Sequence, residues 1–460
     1  MMLSEADLLE GRYNGLDCCR TWEVEKKLQA QMERMVEGWP KLPEVIEFQQ
    51  KLFWPVLWAM DKGLRVDLEK KKGLSKELAS RTREMKKELG MMVGHELNVN
   101  SPAQMKDFFY GDLRQPLIFS RGGKGKKKSP TLGEEALIKI GEREALLKPL
   151  VQHILLLRSV AKFKSSFIDA EVDVDGKMRT SFKIAGTKNY RFASSQSAWW
   201  NGMNFQNLPK GDEDGESKLP NVRGMFVPDP GYEFFDIDLD SADLRIVAFE
   251  SNCLEMKQWL REGKKVYVEV AKEYYKDPSI TKNHWAYRLF KSLCHGTNYL
   301  GEAKGLAGRL GLSELEVVKI QRWYFGKFPE ILEWHEKVKA QVREKRFVEN
   351  VFGYRMWYAG RVEEATFRDA VAAIPQSTVG CLINRGWMNL WEGVGKKGVD
   401  GDVEVLLQVH DSLGGQFKEE KQEMKEEVVR ACTVPLKYEE GDCLIPVGFS
   451  CSKESWGACR

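Results

Sequence analysis

Three stretches of this sequence combine residue types and spacing that suit chemistry on phosphate esters. The first two are acidic. FFDIDLDSADLRIVAFES (234–251) reads as a strand that becomes a helix, which puts Asp238 at the C-terminal end of the strand. LQVHDS (407–412) is an apolar run that leads straight into His410 and Asp411. If the two strands are neighbours, the two carboxylates converge. A carboxylate pair can share two Mg²⁺ ions about 3.5–4 Å apart, activating an attacking oxygen and stabilising a leaving one. Mg²⁺ keeps several waters and takes only one or two protein carboxylates plus substrate phosphates, so two Asp residues suffice. A structural role is the plain alternative. Asp and Ser favour turns because their side chains hydrogen-bond their own backbone. Asp236, Asp238 and Asp240 can equally cap and solvate a strand end. Asp240-Ser-Ala-Asp243 has the spacing of a capping box, with Asp at the third helical position. Leu244, Val247 and Ala248 then supply an apolar helical face.

The third stretch is basic. In NHWAYRLFKSLCHGTNYLGEAKGLAGRLG (283–311), Arg288, Lys291, His295 and Tyr299 are three, four and four residues apart. On an α-helix they share one face. Such a ladder suits a nucleoside triphosphate, with cations for the phosphates and rings for the sugar and base. A basic solubilising face is the alternative, but His and Tyr are not typical of one. A separate loop, RGGKGKKKS (121–129), is rich in Gly and Lys. Loops of this kind serve as solubilising tips, or they hold a phosphate backbone without reading sequence.

The elements around these groups set the architecture. At 460 residues the chain is too long for one ordinary core and predicts two to four subdomains. Its formal net charge of +3 does not exclude nucleic acid, because a neutral sum can hide basic patches. The nine cysteines are scattered without a CxxC pair, which argues against a disulfide framework and against zinc, and favours a reducing compartment. No apolar run approaches membrane-spanning length, and the acidic, polar start is unlike a secretion signal. A soluble intracellular protein is expected. Residues 1–43 read as helical up to a Trp-Pro-Lys-Leu-Pro break, and residues 44–94 carry long helical periodicity, strongly charged on most faces in the second half. Residues 134–168 return to helix. EVDVDGKMRTSF (171–182) reads as a hairpin around Asp175-Gly176. Residues 254–345 are mostly helical. Hairpins are expected at 346–361 and 403–418, with a long helix (364–395) between them. The fold class is α+β, a sheet platform with a helical domain inserted into it.

With these segments in view, the chain from about residue 44 to the C-terminus resembles the family A DNA polymerases, the class of bacterial DNA polymerase I and many phage replicases. Asp238-Leu-Asp-Ser-Ala-Asp243-Leu-Arg245 is similar to the family's first palm motif. Lys291-Ser-Leu-Cys-His295-Gly296-Thr-Asn-Tyr299 is similar to its fingers motif, and Gln408-Val-His410-Asp411 to its third motif. The three stand in family order. NVNSPAQM (98–105) looks like the thumb signature. TKNYRFASS (187–195) with NFQNLP (204–209) is similar to the segment that grips the primer-template duplex. FRDAVAAIPQSTVG (367–380) resembles the helix that lines the duplex, and the C-terminal VGFSCSKESW ends on Trp456 much as the family does.

The resemblance implies a right-hand polymerase with an antiparallel palm sheet, helical fingers and a helical thumb. Residues 1–43 would be the C-terminal remnant of an exonuclease-like domain, 44–170 the thumb, 171–252 the first part of the palm, 253–345 the fingers and 346–460 the rest of the palm. It implies DNA-directed DNA polymerase activity on primer-template DNA with dNTPs, in a bacterial or phage-infected cytoplasm. Asp238, Leu239 and Asp411 would hold two Mg²⁺ ions, for which Mn²⁺ can substitute. Lys291 would neutralise the triphosphate and protonate the leaving pyrophosphate. Arg288, His295, Tyr299 and Asp243 would line the nucleotide. Arg191, Asn204, Gln206, Asn207, Arg368, Gln376 and His410 would touch primer or template, and Lys124, Lys126, Lys127 and Lys128 would meet DNA phosphate.

The sequence departs from the family pattern in named places. The fingers arginine usually lies four residues before the lysine, where this chain has Tyr287; the role moves to Arg288 on the same helical face. The sugar-sensing ring is His295 rather than Phe or Tyr. The Glu that blocks a 2′-hydroxyl is Asp243, one methylene shorter, which predicts looser exclusion of ribonucleotides. Ser412 stands where an acidic residue often follows the catalytic Asp. YNGLDCCRTWEVEKKL (13–28) is similar to the last motif of the family's 3′–5′ exonuclease, with Tyr13 and Asp17 in place, but the other acidic motifs of that nuclease are not in this sequence. No proofreading by this chain alone is expected; the segment would dock a separate exonuclease polypeptide, be a structural remnant, or mark a truncation. A single-subunit phage-type RNA polymerase shares the palm logic and can carry His-Asp-Ser, but the thumb signature and NFQNLP argue against it. A catalytically silent DNA-binding relative has no chemical need to keep Asp238, Lys291 and Asp411 together.

Overall fold

The computed structural model describes residues 5–120, 129–197, 201–209, 219–395 and 401–459. At its centre is a four-stranded antiparallel sheet. Its order in space is Val447–Ser452, Tyr232–Leu239, Ser412–Lys418, Val403–Val409. The strand that carries Asp238 is therefore central, paired on one side with 412–418 and on the other with 447–452. More than 160 residues of mostly helical chain separate the first strand from its partners, as the interrupted α+β reading expects. Val403–Val409 is buried along its whole length. This accounts for its apolar run instead of an alternating pattern, because a strand covered on both faces has no solvent side.

The sheet buries Phe235, Ile237, Leu413 and Phe417 on one face and Phe234 on the other. They join a core with Trp387, from the long helix Glu364–Glu392, and with Trp456 near the C-terminus. That core continues into the N-terminal half. There Leu68–Val93 packs against Lys148–Phe163, with Glu134–Arg143 alongside. A second core lies in the inserted helices, among Phe290, Tyr324, Ile331, Trp334 and Val342. Among the described residues, no helix is long and apolar enough to cross a membrane.

Two local expectations need correction. The turn at Asp175-Gly176 forms, with Gly176 at φ 76 and the Gly176 amide donating to the Asp173 carbonyl. The Asp173 amide donates to the Lys177 carbonyl at 2.9 Å and closes the hairpin tip, but no strand ladder extends from it. Lys177–Met178 pairs instead with Leu64–Val66, and Ser181–Lys183 pairs with Ala193–Ser195. The capping box at Asp240–Asp243 does not form either. The helix begins at Ala242 after a left-handed Ser241 (φ 55), with no side-chain cap. Lys265 takes the Asp240 carboxylate at 2.7 Å and Ser241 Oγ donates to it at 3.1 Å. An ion pair with a charged donor outcompetes a neutral backbone cap. The expected hairpins within 346–361 and 403–418 both form, as Phe347–Glu349 with Arg355–Trp357 and as Val403–Val409 with Ser412–Lys418.

Candidate active site

Asp238 and Asp411 are brought together by register. Ser412 is the cross-strand partner of Asp238, and Val409 pairs with Ser412 to close a two-residue turn made of His410 and Asp411. The Leu239 amide donates to the Asp411 carbonyl at 3.3 Å, which ties the turn to the end of the first strand. Asp238 is exposed and Asp411 half-buried. His410 sits at φ 59, a left-handed conformation that costs a non-glycine residue about 1–3 kcal/mol. The fold holds that strain at the residue that aims Asp411. Just beyond the turn, the ladder shifts register between Gly414 and Gly415. A Cβ on Gly415 would lie 2.1 Å from the Glu404 carbonyl oxygen, so the close strand approach there requires glycine.

The neighbouring acids have other work. Trp456 Nε1 donates to Asp236 Oδ2 at 3.1 Å. Asp240 pairs with Lys265, which holds its carboxyl below the usual range although burial pushes the other way. The structural reading therefore fits Asp236 and Asp240; Asp238 is the exposed one of the three and also interacts with the Arg223 charge.

The basic residues stand on the helix Trp285–Asn298. Arg288, Lys291 and His295 are all exposed on one face, while Phe290, Leu293 and Cys294 on the other are buried. Tyr299 is the first residue past the helix rather than its last turn. Its ring meets His295 edge-on, with centroids 4.6 Å apart. Burial, and then the adjacent Asp243 carboxylate, push its hydroxyl far above the usual phenol range. Neither the Tyr299 hydroxyl nor Asp243 Oδ1 has a hydrogen bond of good geometry among the described residues, although both atoms are buried. Arg191 Nη2 approaches the same carboxylate at 4.0 Å.

The family A model, DNA polymerase family A, matches residues 68–457. The chain belongs to DNA polymerase family A. It is 27% identical over 436 residues to the thermostable DNA polymerase I of Thermus thermophilus, covering 91% of this chain and 50% of that one. It is 27% identical over 437 residues to the DNA polymerase I of Pseudomonas aeruginosa, covering 91% and 46%. The chain thus spans about half the length of the curated relatives it matches. Among solved structures, the POL domain of Pol1 from M. smegmatis, in complex with DNA primer-template and dNTP, superposes with a TM-score of 0.81 at 23% identity. The match covers 96% of this chain and 75% of that one. The fold is the α+β right hand expected from the sequence.

Within this family A fold, the remaining expected residues fall into groups. Arg191 Nε donates to the Gln376 carbonyl at 3.1 Å, and Asn189 donates to the Gln376 side chain at 2.9 Å, so Arg191 and Gln376 form one unit. Arg368 is on the same helix but ion-pairs with Glu302 of the insertion. Asn204 turns inward: it accepts from the Gln206 amide at 3.0 Å and donates to the Ser194 carbonyl at 2.7 Å. Gln206 is buried and donates to Gln408 at 3.2 Å. Asn207 is exposed and, with His410, lines a cavity of about 640 Å³ between the central sheet and the helix Lys148–Phe163. Lys124, Lys126, Lys127 and Lys128 lie outside the described residues. Tyr13 and Asp17 stand one turn apart on the exposed helix Glu5–Val36.

Two cations went unnoticed in the sequence reading. Arg223 is buried, packs 4.2 Å over the Trp456 ring and lies 3.8 Å from Asp236. Burial lowers its pKa, while Asp236 and Asp238 oppose that. Lys162, from the helix Lys148–Phe163, lines the same cavity as Arg223 and His410. A lone arginine in the otherwise apolar VRGMFV was the available signal for Arg223, since arginine is buried only with partners.

Proposed function

We propose that this chain is a DNA-directed DNA polymerase that extends a primer 3′-hydroxyl with dNTPs. The observation that carries the reading is the register that sets Asp238 beside Asp411, in a family A chain with an exposed basic helix face. The helical elements within 44–170 act as the thumb, 253–345 as the fingers, and 171–252 with 346–460 as the palm; 1–43 precede the thumb as an exonuclease-like remnant. The compartment proposed with this activity is the cytoplasm of a bacterial or phage-infected cell.

The donor set fits Mg²⁺. Two carboxylates and the Leu239 carbonyl offer only hard oxygen ligands. Asp238, Leu239 and Asp411 would hold the two ions, which supply Lewis acidity at the phosphates and a lower pKa for the attacking hydroxyl.

The side chains do the rest. Arg288 and Lys291, exposed one turn apart, bind the triphosphate through charge-assisted hydrogen bonds. Lys291 balances charge that develops on the pyrophosphate as the Pα–O bond breaks, and its ammonium can pass a proton to that leaving group. His295 and Tyr299 form the wall against the sugar and the templating base. Asp243 closes that wall at the 2′ position, and its shorter side chain leaves room for a hydroxyl. His410 positions the primer terminus. Arg191 and Gln376 grip the minor groove, with Asn204, Gln206, Asn207 and Arg368 along the duplex. The Lys124–Lys128 loop holds its backbone. A separate 3′–5′ exonuclease polypeptide is a candidate partner for the Glu5–Val36 helix.

The test is extension of a labelled primer on a DNA template with Mg²⁺, comparing dNTPs with NTPs. Extension with dNTPs supports the reading. Duplex binding without any extension would point to a silent relative, and extension with NTPs alone to an RNA polymerase.

A further inference from the structure

The end of the helix that carries Lys291 and His295 is closed by an unusual turn. The Gly301 amide donates to the Gly296 carbonyl at 2.7 Å, and the Leu300 amide to the Thr297 carbonyl at 3.1 Å. Leu300 sits at φ 55, so the turn is strained for a non-glycine residue. The last helical residue, Asn298, is 2% exposed. A buried carbonyl and a buried carboxamide at a helix end both need partners.

Those partners come from two other helices. Tyr324, on Glu314–Lys327, donates its hydroxyl to Asn298 Oδ1 at 2.9 Å. His335, on Pro329–Lys345, sets Nε2 at 2.8 Å from the Asn298 carbonyl oxygen. Because a carbonyl only accepts, Nε2 must carry the proton. His335 is fully buried, and Nδ1 has no partner among the described residues. A second proton on the ring would have no acceptor there, so the imidazole is the neutral Nε2–H tautomer. Gln321 adds a bond from the same side, donating to the Gly301 carbonyl at 2.9 Å.

We infer that His335 is a positioning residue for the nucleotide wall. By donating to the Asn298 carbonyl it caps the helix from outside, and so sets the ring of Tyr299 against His295 and Asp243. Tyr324 does the same through the Asn298 side chain. The link is one peptide unit long: the carbonyl that His335 holds belongs to the peptide bond whose nitrogen is that of Tyr299. This inference deepens the nucleotide-binding reading of Tyr299 and rests on it, but the link from His335 to the turn can be tested without nucleotide.

The full chain carrying His335→Met, His335→Gln or Tyr324→Phe tests it. Met fills the space without a donor, while Gln can return an N–H at the place of Nε2. Phe removes a single oxygen and keeps the ring, so it remains informative if the Met variant does not fold. Amide hydrogen exchange at Tyr299–Gly301, without DNA or nucleotide, is expected to quicken about tenfold in H335M and several-fold in Y324F, and to stay near wild type in H335Q. Unchanged exchange in both H335M and Y324F would overturn the link to the turn. In single-nucleotide extension, KM for dNTP is expected to rise about tenfold in H335M with kcat changed less than about threefold, and H335Q is expected to restore it. A fall in kcat alone, or H335Q as impaired as H335M, would overturn the positioning role. If wild type extends no primer, the exchange result still decides the structural link, and the polymerase reading is what fails.

Discussion

Ser412 stands directly opposite Asp238 in the antiparallel ladder, and this pairing places Asp411 at the end of the strand that bears Asp238. The arrangement joins residues more than 170 positions apart in the chain. A one-residue slip would turn every side chain of the strand to the other face of the sheet. Several features hold the register: the buried faces of both strands, the Gly414–Gly415 shift, and the C-terminal strand on the far side.

The basic helix face is expected to separate binding from chemistry. Lys291→Ala is expected to lower kcat on the order of 10²–10³-fold, because it removes a cation aimed at developing charge. Arg288→Ala is expected to raise KM for dNTP about tenfold with a smaller effect on kcat. Steady-state single-nucleotide kinetics distinguish the two. Equal effects on both parameters from both variants would refute the division of roles.

The Asp243 side chain is expected to set sugar selection. Asp243→Glu adds one methylene toward the Tyr299 hydroxyl and is expected to raise the dNTP-over-NTP preference about tenfold or more. Competition between a dNTP and its ribonucleotide, read in one extension reaction, measures this. A preference that is unchanged or lower in D243E would show that the wall lies elsewhere.

These assignments also show what local sequence can and cannot reveal. Asp411 was legible because an apolar run ending in His-Asp-Ser marks a buried strand and its turn. The basic stripe was legible because helical spacing alone puts Arg288, Lys291 and His295 on one face. The capping box at Asp240 failed because Lys265, distant in sequence, takes the carboxylate. The hairpin at 175–176 stops at its closing pair because the strand after the turn pairs with Leu64–Val66, more than 100 residues earlier. His335 was invisible for the same reason: its partner, Asn298, comes from another element, and Arg223, whose partner Trp456 is equally distant, showed only as a lone arginine among apolar residues.

Burial makes His335 a source of acid sensitivity. Its pKa falls from 6.5 to about 4 in the folded chain, mainly through desolvation. The unfolded chain therefore binds the extra proton first, and stability drops as pH falls below about 6.5, levelling off near 4. Between pH 7 and pH 5 this group is expected to cost the fold roughly 2 kcal/mol. Chemical denaturation at both pH values, for wild type and H335Q, measures it. A pH dependence equally steep in H335Q would assign the effect to other groups.

Trp456 is expected to support the strand of Asp238 from behind. Its ring stacks on Phe234 with centroids 6.1 Å apart, and its indole N–H holds Asp236. Trp456→Phe keeps an aromatic ring but loses the hydrogen bond, and is expected to destabilise by about 1–2 kcal/mol. Urea melts test this; no loss of stability would mean that Asp236 finds another donor.

The Lys124–Lys128 loop is expected to act through phosphate alone. Replacing its four lysines with alanine should weaken duplex binding without changing sequence preference. It should also reduce the slope of log affinity against log salt by up to about 3–4. A salt titration of duplex binding gives the answer, and an unaltered slope would leave the loop as a solubilising tip.

The most direct test of the central claim is primer extension by wild type, Asp238→Asn and Asp411→Asn with dNTPs and Mg²⁺. These variants keep shape but remove one negative charge each and turn one acceptor oxygen into a donor. Wild type is expected to extend the primer. Each variant should lose about 10³-fold or more in rate while binding the same duplex normally. Extension by either variant at near wild-type rate would contradict the paired-carboxylate site.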